Sequence, residues 1–172
     1  GVFPNQLTLV LPAGMAEGRA VLQITAENGQ TLRASMKIRK TAPGLSTASG
    51  DGYGPPAALV ARYAMDGTVT YDLVFDCSAS GCVPKPIDLS RNDQVYLALF
   101  GTGIRNRSSL SSVVVNIGGV NISPVYAGAQ SEYPGLDQIN LPLPKSLAGR
   151  GEVSVAVTAD GQTSNAVLLN LR

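Results

Sequence analysis

The chain has 172 residues, a net charge of +1 and 44% apolar residues, a composition typical of a globular protein rather than a disordered one. Only 15% of its residues are charged and no basic tract occurs, which argues against a nucleic-acid partner. No apolar run approaches the ~18 residues that would span a membrane. Histidine is absent, which removes the commonest general base and the commonest metal ligand.

In chain order, alternation of apolar and polar residues at period two predicts strands from the beginning. Within residues 5–39 one apolar face is predicted, formed by Leu7, Leu9, Leu11, Leu22, Ile24, Leu32, Ala34, Met36 and Ile38. Further strands are predicted near 58–64, 69–75, 94–101, 112–117, 121–127, 138–143, 152–158 and 164–171. Short strands at this spacing predict an all-β sandwich.

Three dipeptides predict hairpin turns between these strands: Asn28-Gly29, Asp66-Gly67 and Asp160-Gly161. Such pairs accept the positive φ angles of two-residue turns of the primed type. The predicted hairpins cover 20–39, 58–75 and 151–171.

An internal repeat relates the start of the chain to its end. Residues 5–38 match residues 137–170 at a shift of 132 positions at both ends, where Gly29-Gln30-Thr31 matches Gly161-Gln162-Thr163. The shift is 131 in the middle, where Gly18-Arg19 matches Gly149-Arg150. A repeat of this size indicates tandem domains. The predicted organisation is the C-terminal half of a β-sandwich repeat at 1–42, a Gly/Ser/Pro-rich linker at 43–57 and a complete sandwich at 58–172.

Three strings carry a resemblance to a known family: TAPGLSTASGDGYGPPAALV, ALFGTGIRNRSSL, and the long segment from VNIGGV to NAVLLNL. Over roughly residues 41–172 they resemble a C-terminal domain family of large secreted bacterial proteins, abundant in acidobacteria. The stretch GTGI…VNIGGV…VYAG is similar to the IPT/TIG branch of immunoglobulin-like domains. The resemblance implies an immunoglobulin-like fold and a secreted or cell-surface location. It implies no activity, and it supplies no catalytic or binding residues.

Cys77 and Cys82 are the only cysteines. An even pair in a chain with the features of an exported protein favours a disulfide. Free thiols and a metal or redox role are the alternatives, although a zinc site needs about four ligands.

No catalytic, cofactor-binding or metal-ligating residue is predicted. The densest acidic group, Asp72, Asp76, Asp88 and Asp93, is interpreted as solvated faces and loop caps rather than as a glycosidase pair. The loop at 49–52 offers one carboxylate, too few for calcium. Gly101-Thr102-Gly103 is interpreted as a strand-ending turn rather than a phosphate loop.

Two classes of function follow. The first is a non-catalytic structural, adhesive or assembly module: a spacer, a stalk or a surface-filament subunit. The second is an accessory carbohydrate-binding module of a larger secreted hydrolase; an enzyme ranks last. Tyr63 and Tyr71 lie nearly opposite across the predicted hairpin at 58–75, where sheet packing is favoured over a sugar platform. The aromatic fraction of 5% and the lack of tryptophan also disfavour a platform.

The apolar face of residues 5–39 predicts a protein partner. It would be covered by the rest of a longer protein, by the hairpin at 58–75 folding back, or by strands donated from an identical subunit.

Overall fold

The computed structural model describes residues 2–3, 6–7 and 9–172, and the chain divides into two compact units, Gly1–Lys40 and Thr41–Arg172. The strands at Gly18–Thr25, Val113–Ile117, Asp137–Pro142 and Val167–Leu171 alternate in burial from one residue to the next, as the sequence predicts for a pleated chain. The protein is therefore all-β, as predicted.

Unit 1 consists of two antiparallel strand pairs. Its strands are β1 (Val2–Phe3), β2 (Gln6–Leu7), β3 (Gly18–Thr25) and β4 (Thr31–Ile38). β1 pairs with β2, and β3 pairs with β4 along its whole length. Ala20, Leu22 and Ile24 share one face of β3 and are half-buried. No residue from 9 to 40 is buried, and the side chain of Leu7 lies outside the described residues.

Unit 2 contains fourteen strands and two short 3₁₀ turns, Leu110–Ser112 and Lys145–Leu147. The strands are β5 (Gly44–Leu45), β6 (Ala58–Tyr63), β7 (Val69–Leu73), β8 (Phe75–Ser78), β9 (Gly81–Pro84), β10 (Pro86–Ile87), β11 (Gln94–Thr102), β12 (Val113–Ile117), β13 (Val120–Ile122), β14 (Tyr126–Ala129), β15 (Asp137–Pro142), β16 (Gly151–Ala159), β17 (Gln162–Thr163) and β18 (Val167–Leu171).

These strands form two main sheets with a common core. Sheet I has the order β14-β15-β11-β6-β7, with β5 paired to β11. Sheet II has the order β10-β18-β16-β12-β13, with β17 paired to β16, and β10 runs parallel to β18. Leu97, Ile139 and Leu141 of sheet I join Val157 and Leu169 of sheet II in one buried cluster. Each such side chain contributes about 1.5–3 kcal/mol on burial, so this sandwich-like core dominates the stability of unit 2.

The hairpin turns agree with the sequence in position but differ in type. Asp160 and Gly161 form a two-residue turn, with φ angles of 47° and 76°. At Asn28-Gly29 and Asp66-Gly67 only the glycines have positive φ, 79° and 85°. The loops there have three residues, 27–29 and 65–67, because hydrogen bonds from Ala26 N to the Gln30 carbonyl and from Ala64 N to the Thr68 carbonyl close them. Within each loop the glycine amide donates back to the carbonyl of Ala26 or Ala64. The prediction of a primed two-residue turn was wrong at these two places.

Two further predictions require correction. The strand predicted near 121–127 is two strands, β13 in sheet II and β14 in sheet I. Pro124 lies between them, and it has no amide hydrogen with which to continue a ladder.

The segment 43–57, for which the sequence predicts a linker, is instead held within unit 2. Leu45 pairs with Gly101, and Thr47 forms a bridge with Pro56. The Asn165 side chain accepts a hydrogen bond from Leu45 N at 2.8 Å and donates to the carbonyls of Leu45 and Gly52 at 3.1 and 2.9 Å. Gly50, Gly52 and Gly54 have positive φ angles of 77°, 87° and 74°, so these glycines shape the turns of the segment.

The two hairpins that the repeat relates, at 18–38 and at 151–171, can be compared pair by pair along their ladders. Gly18 pairs with Ile38 in unit 1, and Gly151 pairs with Leu171 in unit 2. The shift of 132 holds at the turn, but residues 164–166 lie between β17 and β18 and break the ladder. Equating the two ladders pair by pair gives a shift of 133 on both strands away from the turn, so Gly18 corresponds to Gly151 and not to Gly149, as the sequence alignment had it. Ala34, Met36 and Ile38 therefore correspond to Val167, Leu169 and Leu171.

Candidate functional site

The outer face of sheet I carries a groove of about 490 Å³. Strand alternation explains it: Val60 and Leu97 point into the core, so their neighbours in the strands point outward. We call this site the tyrosine groove. It is lined by Leu59, Ala61, Tyr63, Tyr71, Gln94, Tyr96, Leu97, Ala98, Val125, Gln138 and Asn140.

The register of three strands sets the width of the tyrosine groove. Ala61 of β6 pairs with Tyr71 of β7 on one side and with Tyr96 of β11 on the other. Adjacent strands are ~4.8 Å apart, so the backbones that carry Tyr71 and Tyr96 are about 10 Å apart. Ala61 and Ala98, each 9% exposed, have only a methyl group and form a low floor.

The rings differ in how firmly they are held. Tyr63 and Tyr96 meet edge to face, with ring centroids 5.7 Å apart and an interplanar angle of 81°. Tyr71 is 67% exposed. Tyr63 and Tyr71 do share one face of the hairpin, but they are diagonal neighbours, because Tyr63 pairs with Val69. The edge-to-face contact therefore holds the Tyr63 and Tyr96 rings in place, while Tyr71 presents a largely free ring.

The polar lining consists of amides. Gln138 donates from Nε2 to Oδ1 of Asn140 at 2.8 Å. Among the described residues, the Gln138 Oε1 acceptor and the Asn140 Nδ2 donor have no other protein partner. Gln94 is exposed at one end of the groove. The lining contains no charged side chain, since Arg62 and Asp72 alternate with the outward residues of their strands.

Cys77 and Cys82 form a disulfide, as predicted. They are directly opposite each other on β8 and β9, a separate two-stranded hairpin. Neither cysteine lies in the tyrosine groove, so the disulfide fixes a peripheral hairpin.

Three of the four clustered aspartates form separate ion pairs rather than one acidic site. Asp72 lies 3.7 Å from Lys85, Asp88 lies 3.6 Å from Arg172, and Asp93 lies 3.7 Å from Arg62. Hydrogen bonds from Ser90 hold the pKa of Asp88 below its ordinary value. Asp76 is exposed on β8. Within the described residues no group of three or more His, Cys, Asp or Glu side chains could hold a metal ion.

The loop at 49–52 is organised by Asp51 itself. Its carboxylate accepts hydrogen bonds from Ser49 Oγ at 2.6 Å and from Tyr53 N at 2.9 Å. These bonds, the Ser49 bond foremost, lower the pKa of Asp51. The carboxylate thus stabilises the turn.

Sequence reasoning missed one polar centre. Asp137 has no exposed surface, and its carboxylate accepts hydrogen bonds from Ile104 N at 2.7 Å, Arg105 N at 3.1 Å and Arg105 Nε at 2.6 Å. The site closes the turn at Gly101-Thr102-Gly103, which is a strand end, as expected. An acidic residue opening an alternating strand is the only signal of it in the sequence.

Neither of the two helical turns, each of three residues, is long enough to cross a membrane, and the described part of the chain has no other helix. Comparison with protein-family models, with curated proteins and with solved structures finds no match to this chain.

Proposed function

We propose that this chain belongs to a non-catalytic, extracellular module of immunoglobulin-like topology with a structural or adhesive role in assembly. The strand order supports the topology. β6, β11, β15 and β14 take the positions of immunoglobulin strands A, B, E and D, and β12, β16 and β18 take those of C, F and G. The chain crosses between sheets after β11, β13 and β15, as a Greek key requires.

One observation supports the assembly role: two hairpins that the sequence repeat relates differ in burial, since one has a fully buried apolar face and the other has an apolar face that is half-buried to exposed. In unit 2, Val167, Leu169 and Leu171 are at most 1% exposed. Of their counterparts in unit 1, Ala34 is exposed and Met36 and Ile38 are half-exposed. Leu32, on the same face, is 66% exposed.

An apolar sheet face of this size is unfavourable in water. Fully burying one large aliphatic side chain is worth about 1.5–3 kcal/mol, and a two-stranded hairpin is marginally stable by itself. The face therefore gains most from a second sheet resembling β6-β11-β15 of unit 2. A neighbouring domain of the same type, or a second copy of the chain, would supply it.

The disulfide supports the extracellular part of the proposal. Disulfides persist in oxidising compartments and are rare in the cytosol. Cys77 and Cys82 close a short loop in an exposed hairpin, where a reducing environment would leave them free.

Sedimentation velocity and hydrogen exchange test the assembly role. If copies complete one another, the chain associates with rising concentration, and amides of 18–38 become protected. Leu22→Asp should abolish both effects, because Leu22 is on the apolar face. The matched control is Val21→Asp, one residue away on the opposite face and 65% exposed.

A longer variant of the chain distinguishes coverage of the apolar face by a neighbouring domain from coverage by a second copy of the chain. Placing an additional copy of residues 41–136 ahead of Asn5 gives unit 1 the sequence context of the second repeat. If a neighbouring domain covers the face, amides 18–38 become protected in this longer chain as a monomer. A hairpin that stays unprotected in both chains would contradict the assembly role.

A further inference from the structure

The tyrosine groove is placed independently of the hairpin at 18–38, since β6, β7, β11 and β15 of unit 2 build it. Three of the chain's nine aromatic residues, Tyr63, Tyr71 and Tyr96, meet there. One third of the aromatic residues therefore lies on one concave surface. Composition alone disfavours a sugar platform, but what matters for stacking is where the rings are.

We propose that the tyrosine groove binds a neutral saccharide, with one pyranose ring seated over Ala61 between Tyr71 and Tyr96. Carbon atoms in contact are ~3.5–4.0 Å apart, so a ring contacted on both faces needs about 8 Å. The backbones carrying Tyr71 and Tyr96 are separated by two strand spacings, about 10 Å. The low floor of Ala61 leaves this space open.

The space between Tyr71 and Tyr96 is too narrow for an α-helix. An α-helix with its side chains is ~10–12 Å across and does not enter it. One saccharide ring does, and its axial C–H groups offer the apolar face that tyrosine rings accept. Tyr71, 67% exposed, has ring surface free for that contact.

The amides complete the chemistry. The Gln138–Asn140 hydrogen bond leaves one acceptor, Oε1 of Gln138, and one donor, Nδ2 of Asn140, without another partner among the described residues, and both side chains line the groove. Each sugar hydroxyl is both donor and acceptor, so neighbouring hydroxyls match this pair. Because no charged side chain lines the groove, a uronic acid, a phosphate or a nucleic acid would lose hydration without an ionic partner.

Affinity electrophoresis of the full chain tests the proposal. The probes are hydroxyethylcellulose, arabinoxylan, galactomannan, dextran and soluble starch in separate gels. The pentasaccharide of the retarding polymer is then titrated by NMR. We expect retardation in at least one gel, and chemical-shift changes at Tyr71, Tyr96, Gln138 and Asn140.

Variants assign the binding to the groove. Tyr71→Ala should weaken binding about tenfold, since one stacking contact is worth about one factor of ten, whereas Tyr71→Phe should keep it. Ala61→Leu should abolish binding by filling the floor. The matched control is Tyr133→Ala, 62% exposed and outside the groove, which should bind as the parent does. Melting temperatures establish that each variant is folded.

Three results would overturn the proposal. The first is no retardation in any gel. The second is retardation that survives both Tyr71→Ala and Ala61→Leu. The third is perturbation of the groove residues by a decaproline peptide, or by self-association lost in Tyr71→Ala, in place of a saccharide. The third result would make the groove a protein interface and would leave the proposed function standing. Conversely, amides of the 18–38 hairpin that stay unprotected from hydrogen exchange would remove the assembly role and would leave the saccharide proposal unaffected.

Discussion

Replacement of Asp137 by alanine is the most discriminating test of the fold. The carboxylate has no exposed surface and receives three hydrogen bonds, from Ile104 N, Arg105 N and Arg105 Nε. The variant leaves the buried Ile104 amide without an acceptor and the Arg105 guanidinium without its partner. Breaking a buried ion pair from one side costs about 3–5 kcal/mol.

The geometry places the cost at the lower end of that range. The Arg105 side chain is 35% exposed and donates from Nη2 to the Leu136 carbonyl, so water and this bond compensate part of the loss. We expect Asp137→Ala to lower the free energy of unfolding by about 3 kcal/mol. For a unit of this size that corresponds to a fall of about 10 °C in melting temperature. Asp137→Asn should cost about 2 kcal/mol, because its amide group turns a donor toward donors.

Far-UV circular dichroism in urea measures these differences, since the chain has no tryptophan to report by fluorescence. The matched control is Asp72→Ala, whose ion pair with Lys85 is about half-exposed and should contribute less than about 0.5 kcal/mol. Equal midpoints for Asp137→Ala and Asp72→Ala would refute the reasoning, since the buried carboxylate would then be no more important than a surface one.

Three other predictions concern local features of unit 2. Alkylation followed by measurement of the intact mass should find two modified thiols only after reduction. Reduction should also destabilise the β8–β9 hairpin by about 2 kcal/mol. Alkylation of Cys77 and Cys82 in the unreduced, unfolded chain would contradict the disulfide. Gly103→Ala should expose the amides of Ala42 and Ser46 to hydrogen exchange, because a Cβ at this position would overlap the Ala42 carbonyl. The control is Gly119→Ala, which should leave these amides protected, since Gly119 also has positive φ but has open space around it. NMR titration should find the pKa of Asp51 below the ordinary aspartate value, because hydrogen bonds from Ser49 and Tyr53 favour its charged form, and Ser49→Ala should raise that pKa toward the ordinary value. The lowered pKa stabilises the folded loop at pH values above the ordinary aspartate pKa, and this contribution is lost as the pH falls through the folded pKa.

Local chemistry explains what the sequence by itself determined. Period-two alternation located most of the longer strands, and the Asn-Gly and Asp-Gly pairs located three hairpin turns, at which glycine has positive φ. The Cys77–Cys82 pair was also predictable, since its partners are five positions apart. The repeat predicts that the hairpin at 18–38 is the counterpart of the one at 151–171, and both segments are antiparallel hairpins with glycine at positive φ in the turn.

Contacts between distant residues were decided only by the tertiary structure. Tyr71 and Tyr96 become neighbours across Ala61 because β6 lies between β7 and β11, an order that no single strand encodes. Asp137 finds the Ile104 and Arg105 amides across 33 and 32 positions of chain. Sheet order and register are set by which faces share a core, and that packing is a property of all the strands together.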